Sequence, residues 1–406
     1  MSLRRPRHVV RRGLFTRSVS MLLGAAIGAG MIVAMQVPLL GRPAVAEMTL
    51  APLTPAARAT PLAWPKVGDA ALVIPSFGIS RSWNDRVVPI ASLTKMMTAF
   101  VTLEKLPLSL GQTGPCLTVN PGEVRAYEAM KRSDQSVAAV AAGESLCEID
   151  LLSGLLVHSA DNYASLLAAM VSGGTGTFVT LMNRAAVSLG LANTHYVDVS
   201  GFDSGSVSTA LDQADLAVLI MRSPLVRSIV AQTSVALPVA GTLGTFTPYL
   251  GADNVIGVKS GRTAEAGGCD VMAMTFRLGA STRVLYAVVL GQRGGDLLGP
   301  AGDAALALAD SALASEHHHF FSSTSVVGTL SWGSHVVTFA LARSHLVSWW
   351  STRQSLPVSL RMRRFTVGVR RGEFVGWLIV HGTKTYRFAL RAQGTGSPPS
   401  LWQRLR

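Results

Sequence analysis

Apolar residues along this chain recur with two different periods, and the switching between them predicts an α+β body followed by a strand-rich end. A short apolar run at 71–74 reads as a strand stopped by Pro75; a turn at Asn84 and Asp85 then leads to Val87 and Val88. From Ser92 the period becomes helical and stays so to about Leu106, just before Pro107. Leu151, Leu152, Leu155, Leu156, Leu166 and Leu167 carry a helical stripe to Met170, interrupted by the polar island His158-Ser159-Ala160-Asp161-Asn162. Glycines at 173, 174 and 176 break the pattern, and 179–189 is helical again. Ser208 or Thr209 caps the next helix over 210–221, with Asp212 and Asp215 in its first turns. Between 255 and 290 three β-rich runs follow at short spacing, which predicts antiparallel pairing, and 301–314 is an alanine-rich helix. Beyond Phe320 short strand-like pieces at 325–330, 335–341, 365–369 and 375–380 alternate with Gly and Ser turns, as in a small all-β domain.

The domain organisation follows from these patterns. Residues 1–46 form a basic start with a signal peptide or membrane anchor, and 47–65, rich in Pro and Ala, form a linker. A main domain covers 66–316, a β-rich domain 320–395 and a basic tail 396–406. High apolar content and few charges (49% and 15% of 406 residues) exclude a globally disordered chain.

Charge changes the picture at both ends. The formal charge is +13, with Arg4, Arg5, Arg7, Arg11, Arg12 and Arg17 crowding the start. A second basic set runs over 343–406, where Glu373 is the only acid, and suits either a solvated face or contact with anionic headgroups or wall polymers. Behind the first arginines an apolar run spans 19–35 and extends past Gln36 to Leu40, the layout of a secretory signal or signal anchor. Ala44-Val45-Ala46 offers a small-x-small cleavage site before Glu47. Cleaved or anchored, the remainder is exported to the outer face of the cytoplasmic membrane or the wall. Nucleic acid is therefore excluded as a partner, and the cytoplasmic membrane is expected as one. Outside the cytoplasm disulfides persist. Cys116 opens a strand-like piece and Cys147 closes another, so neighbouring strands would pair them, whereas Cys269 in its apolar stretch reads as a buried small residue.

The candidate chemistry begins at Pro89-Ile90-Ala91-Ser92-Leu93-Thr94-Lys95. Positions i and i+3 share a helix face, so Lys95 can reach the Ser92 hydroxyl. A serine needs such a base to become a nucleophile, and an apolar wall disfavours the lysine's charged form. Alone, Ser-x-x-Lys describes many helices in which the serine caps and the lysine snorkels. Two further pieces follow in order: Ser159-Ala160-Asp161-Asn162 after a helical turn, and Lys259-Ser260-Gly261-Arg262-Thr263 at a strand end. Lys259 adds positive potential, the Ser260 and Thr263 hydroxyls suit a substrate carboxylate, and Gly261 permits close approach of a ligand to the backbone.

The ordered set Ser-x-x-Lys, Ser-x-Asn, Lys-Thr-Gly marks serine enzymes acting on peptidoglycan and β-lactams. Residues 65–315 resemble the low-molecular-mass D-alanyl-D-alanine carboxypeptidases, which are also penicillin-binding proteins. Met182-Asn183, Leu189-Gly190, Ser200-Gly201-Phe202 and Ser208-Thr209-Ala210 add to the resemblance, and the β-rich end is similar to the carboxy-terminal domain many members carry. The resemblance implies a β-lactamase or penicillin-binding transpeptidase-like fold, an antiparallel sheet flanked by helices. It implies Ser92 as the acyl-accepting nucleophile, Lys95 as its base and Ser159 as the relay to the leaving amine. Asp161, Asn162, Lys259, Ser260, Gly261, Arg262 and Thr263 become substrate-binding positions. The backbone N–H groups of Ser92 and of the strand after Gly261 become the oxyanion hole. The implied substrate is a peptidoglycan stem peptide ending in D-Ala-D-Ala, with β-lactams as inhibitors and no cofactor or metal.

Two positions depart from the pattern. Ser260 replaces threonine and keeps the hydroxyl. Asp161 replaces asparagine, and an ionised aspartate cannot donate to a substrate amide. Either Asn162 takes over through a local shift or this step is altered. A β-lactamase is an alternative, though no glutamate-bearing loop fits its deacylating base. A non-catalytic penicillin-sensing or wall-binding protein is the alternative from another class. His317-His318-His319 reads as a surface tract.

Overall fold

The computed structural model of the chain describes residues 33–37, 44–50, 61–278, 281–332, 335–350, 358–363, 369–381 and 385–396. The chain divides into two compact units, one of residues 57–318 with 348–354, the other of 1–56, 319–347 and 355–406.

The larger unit is built on a five-stranded antiparallel sheet. Its strand order is Val255–Thr263, Gly267–Leu278, Ser281–Gln292, Asp69–Ile74 and Ile79–Trp83. Side chains of a strand alternate between faces, and here both faces are covered. Ala71 and Val73 join Val271, Ala273, Val288 and Leu290 in one core. Ala70, Leu72 and Ile74 join Met272, Met274, Leu285 and Val289 in another, which explains runs that are apolar without alternation.

Helices supply the two covers. On the first face lie α1 (Thr94–Lys105), α2 (Pro121–Arg132), α3 (Glu148–Val157), α4 (Asp161–Ser172), α5 (Thr175–Ser188), α6 (Ala210–Ile220) and α7 (Pro224–Val230). Their apolar faces share the first core, as with Leu151, Leu155, Leu166, Phe178, Leu216 and Ile229. On the second face lies α8 (Leu298–Leu313), which buries Ala301, Ala305, Leu308, Ala309 and Ala312, a stripe one helix face wide. The expected helix over 151–170 is two helices, with the polar island as the corner between α3 and α4. Two helices were not foreseen. One is α7; the other is α2, although Asn120 and Glu123 form a reciprocal capping box and Pro121 sits at the first position. A disulfide joins Cys116 to Cys147 across a two-stranded ladder in which the two cysteines are direct partners. Cys269 is a free, buried thiol.

The second unit is a seven-stranded antiparallel sheet in the order Val33–Val37, Ala44–Leu50, Val326–Trp332, His335–Leu341, Thr385–Ala392, Phe374–His381 and Val358–Met362. Leu330, Val337, Phe339, Leu378, Val380 and Leu390 are buried in it. The linker expected over 47–65 therefore begins with strand, because Glu47, Met48, Thr49 and Leu50 find ladder partners in Val326–Trp332. The basic start, the apolar run up to residue 32, most of the expected strand over 365–369 and the tail from 397 lie outside the described residues. No single described helix is long and apolar enough to cross a membrane.

Candidate active site

The site forms where the outermost strand of the five-stranded sheet, Val255–Thr263, meets the one-turn 3-10 helix Ala91–Leu93 that leads into α1. Two glycines make that junction possible. A methyl group on Gly261 would lie 2.6 Å from the Ser92 backbone nitrogen, and one on Gly201 would lie 1.8 Å from the Ala91 carbonyl oxygen. Both distances are shorter than any side chain tolerates, so the turn carrying Ser92 is clasped by backbone on two sides. Ala91 itself holds a positive φ of 48° inside this clasp, a conformation that non-glycine residues seldom adopt.

Lys95 lies on the first turn of α1 and is fully buried, while Ser92 is half-buried. The Lys95 ammonium donates to Ser92 Oγ at 2.8 Å and to the Ser200 carbonyl at 2.9 Å. Its third neighbour is Asp161 Oδ1 at 2.5 Å. The two form a close, buried ion pair. An ammonium has three donors, and three oxygens surround this one.

The α3–α4 corner presents the second motif. Ser159 is buried with a φ of 61°, and the Asp161 N–H, the first of α4, donates to the Ser136 carbonyl at 2.7 Å. Asn162 is not displaced into the asparagine role. Its side-chain oxygen accepts from the Ala138 N–H at 3.0 Å and its amide donates to the Ala138 carbonyl at 2.8 Å. Both ends of the amide are thereby spent on a buried backbone, and the expectation that Asn162 binds substrate is corrected. A helix turns about 100° per residue, so consecutive side chains point apart; Asp161 faces Lys95 and Asn162 faces away.

In the third motif Lys259 is buried and donates to the Ser260 carbonyl at 2.7 Å. Burial first, and then the neighbouring Lys95, hold its amine well below the ordinary lysine range. Asp270, the ladder partner of Ser260, is fully buried, and neither of its oxygens has a hydrogen-bond partner among the described residues. Burial holds its carboxyl well above the usual range. Ser260 Oγ donates to the Phe246 carbonyl at 2.7 Å. The Thr263 hydroxyl accepts from Ala266 N–H at 3.0 Å and closes the turn between the two strands. Arg262 is the exposed cation of the motif, its guanidinium donating to the Asp296 carbonyl at 2.9 Å. The structure thus gathers Ser92, Lys95, Asp161, Lys259 and Gly261, while Ser260 and Thr263 hold neighbouring backbone.

One organising residue escaped sequence reasoning. Asp198 Oδ2 accepts from the N–H groups of Gly201 at 2.8 Å and Phe202 at 3.0 Å and from Ser200 Oγ at 2.8 Å. Its Oδ1 takes Ser206 Oγ at 2.5 Å. These bonds fold the turn that offers the Ser200 carbonyl to Lys95 and seats Gly201 against Ala91. An aspartate just ahead of Ser-Gly is the signal that could have found it.

Comparison with known proteins places this fold. A family model described as D-alanyl-D-alanine carboxypeptidase matches residues 79–294, and the chain belongs to that family. It is 36% identical over 199 residues to a D-alanyl-D-alanine endopeptidase of Pseudomonas aeruginosa, a match covering 47% of this chain and 61% of that protein. A D-alanyl-D-alanine endopeptidase of Escherichia coli is 28% identical over 236 residues, covering 53% and 70%. Among solved structures, penicillin binding protein 5 from Haemophilus influenzae superposes with a TM-score of 0.56 at 20% identity, covering 84% of this chain and 99% of that one. That likeness establishes the fold: a penicillin-binding transpeptidase-like domain with a β domain after it.

Proposed function

We propose that the protein is a serine DD-peptidase of peptidoglycan that removes the terminal D-alanine of stem peptides through an acyl-enzyme on Ser92, and that penicillins acylate the same atom. The observation that carries this reading is the 2.8 Å contact between Lys95 Nζ and Ser92 Oγ, set against the Gly261 backbone. Lys95 as an amine takes the Ser92 proton while Oγ attacks the carbonyl carbon of the penultimate D-alanine. Backbone N–H groups beside Ser92 and along the edge strand stabilise the oxyanion. The proton passes by way of Ser159 to the departing D-alanine nitrogen, and water then attacks the ester with Lys95 again as base. Lys259, buried beside the pair, places an amine that can hold or pass a proton close to the reacting atoms, and Arg262 offers the substrate carboxylate an exposed cation. Burial pushes the Cys269 thiol up to about 12, which keeps it out of the chemistry.

The names of the Pseudomonas and Escherichia relatives favour a second reading, cleavage of cross-links by the same chemistry. The substrate lies outside the cytoplasm in either case, which suits the arginine-rich start and the apolar run over 19–35. Incubation of purified protein with a D-Ala-D-Ala-terminated pentapeptide and with a cross-linked dimer separates the readings. Free D-alanine from the first supports the carboxypeptidase, monomers from the second alone support the endopeptidase, and neither product would defeat both.

A further inference from the structure

Asp161 occupies a position where an asparagine would be electrically silent, and its setting makes the charge consequential. Lys95 from α1 lies against it, and the charges of Lys259 on the edge strand and of Asp198 in the loop after α5 also act on it; Lys259 in turn feels Asp270 on the neighbouring strand. Lys95, Asp161, Lys259 and Asp270 are all buried, at 0%, 4%, 1% and 0% exposure. Opposite charges 2.5 Å apart in such a place behave as one unit, because adding or removing a net charge there is far costlier than moving a proton between them. No other hydrogen bond to the described residues fixes Asp161 Oδ1 as an anion.

We infer that Lys95 and Asp161 share a single proton, and that Asp161 takes it so that Lys95 stands ready as the amine base on Ser92. Asp161 is then a positioning and proton-holding residue acting through Lys95; the inference rests on the reading of Ser92 as nucleophile. Burial pushes the Asp161 carboxyl up against the pull of Lys95. The steps balance. Ammonium and carboxylate become amine and carboxylic acid; the amine takes the Ser92 proton as the Oγ–carbon bond forms. The ammonium so formed returns that proton to the leaving nitrogen as the carbon–nitrogen bond breaks. In deacylation the proton of water passes to Lys95 and back to Ser92 Oγ, and Asp161 keeps its own throughout. With asparagine in place, the lysine must instead give its proton to solvent before it can act.

The test is the second-order rate of Ser92 acylation by a penicillin across pH, for the full chain and for Asp161→Asn. The acid side of the wild-type profile is expected to report a second proton entering the pair, an ionisation that belongs to both groups together. In Asp161→Asn, which has no carboxyl to hold the proton, that side is expected to move up by about one pH unit or more, about tenfold in rate at a fixed pH on that limb. Asp161→Ala is expected to move it the same way and serves where the asparagine variant does not fold. Limbs that superimpose, or a variant limb that moves down, overturn the shared proton. No adduct from folded wild type at any pH would overturn the reading of Ser92 itself, whereas an adduct with unmoved limbs overturns the role of Asp161 alone.

Discussion

Two carboxylates lie buried in the larger unit under opposite conditions. Asp161 sits against Lys95 and near Lys259, at the meeting of α1, α4 and the edge strand. Glu148, at the start of α3, is fully buried against Gly114, and neither of its oxygens finds a hydrogen-bond partner among the described residues. Burial alone pushes Glu148 up to about 7. A buried acid with cations around it can trade a proton with them. One without cations takes its proton from solvent and makes stability depend on pH. Similar burial therefore yields chemistry at one end of the helical layer and a stability cost at the other, beside the Cys116–Cys147 disulfide.

Substitutions at the two ends sharpen this contrast, and the largest effect belongs to the site. Ser92→Ala is expected to lower acylation by about a thousandfold or more with folding intact, read as covalent penicillin adduct per hour. Gly261→Ala places its methyl group 2.6 Å from the Ser92 nitrogen, and the displaced turn is expected to lose about a hundredfold in acylation. Wild-type rates in a folded Gly261→Ala protein would deny the clasp any part in placing the nucleophile.

The distal end is expected to answer in stability instead. Replacing Cys116 and Cys147 together by serine opens a loop closed over a sequence separation of 31. That change is expected to cost about 3 kcal/mol in denaturant unfolding while acylation of the folded fraction persists. The smallest effect is that of Glu148→Gln. The folded-state value of Glu148, about 7, lies above its ordinary 4.5, so the folded protein holds the proton more tightly than the unfolded chain. Stability falls as pH rises between those values, and the full loss remains above them. Glutamine removes this loss, so a gain of about 1–2 kcal/mol is expected near pH 8 and almost none near pH 4. A thermal unfolding series giving the same difference at both ends would contradict the burial argument.

Legibility in the sequence divides along similar lines. Ser92 and Lys95 were readable because three residues of helix bring two side chains onto one face, a local rule that the structure keeps at 2.8 Å. The strand runs after 255 were readable because both sheet faces are apolar. Asn162 misled, since only the packing of α4 against Ala138 decides which of two adjacent polar residues faces the lysine. Asp198 went unread because its role lies in loop backbone that no periodicity marks. The helix α2 was missed despite its capping signature, for its apolar face is thin and Tyr127 is its one buried residue.

The most direct test of the site is intact-protein mass spectrometry of the purified chain after exposure to labelled penicillin, with peptide mapping of the adduct. One covalent equivalent on Ser92, absent in Ser92→Ala, is the expected result. A folded protein that takes no adduct, or carries it on another residue, would contradict the assignment of Ser92 and Lys95 as the reacting pair.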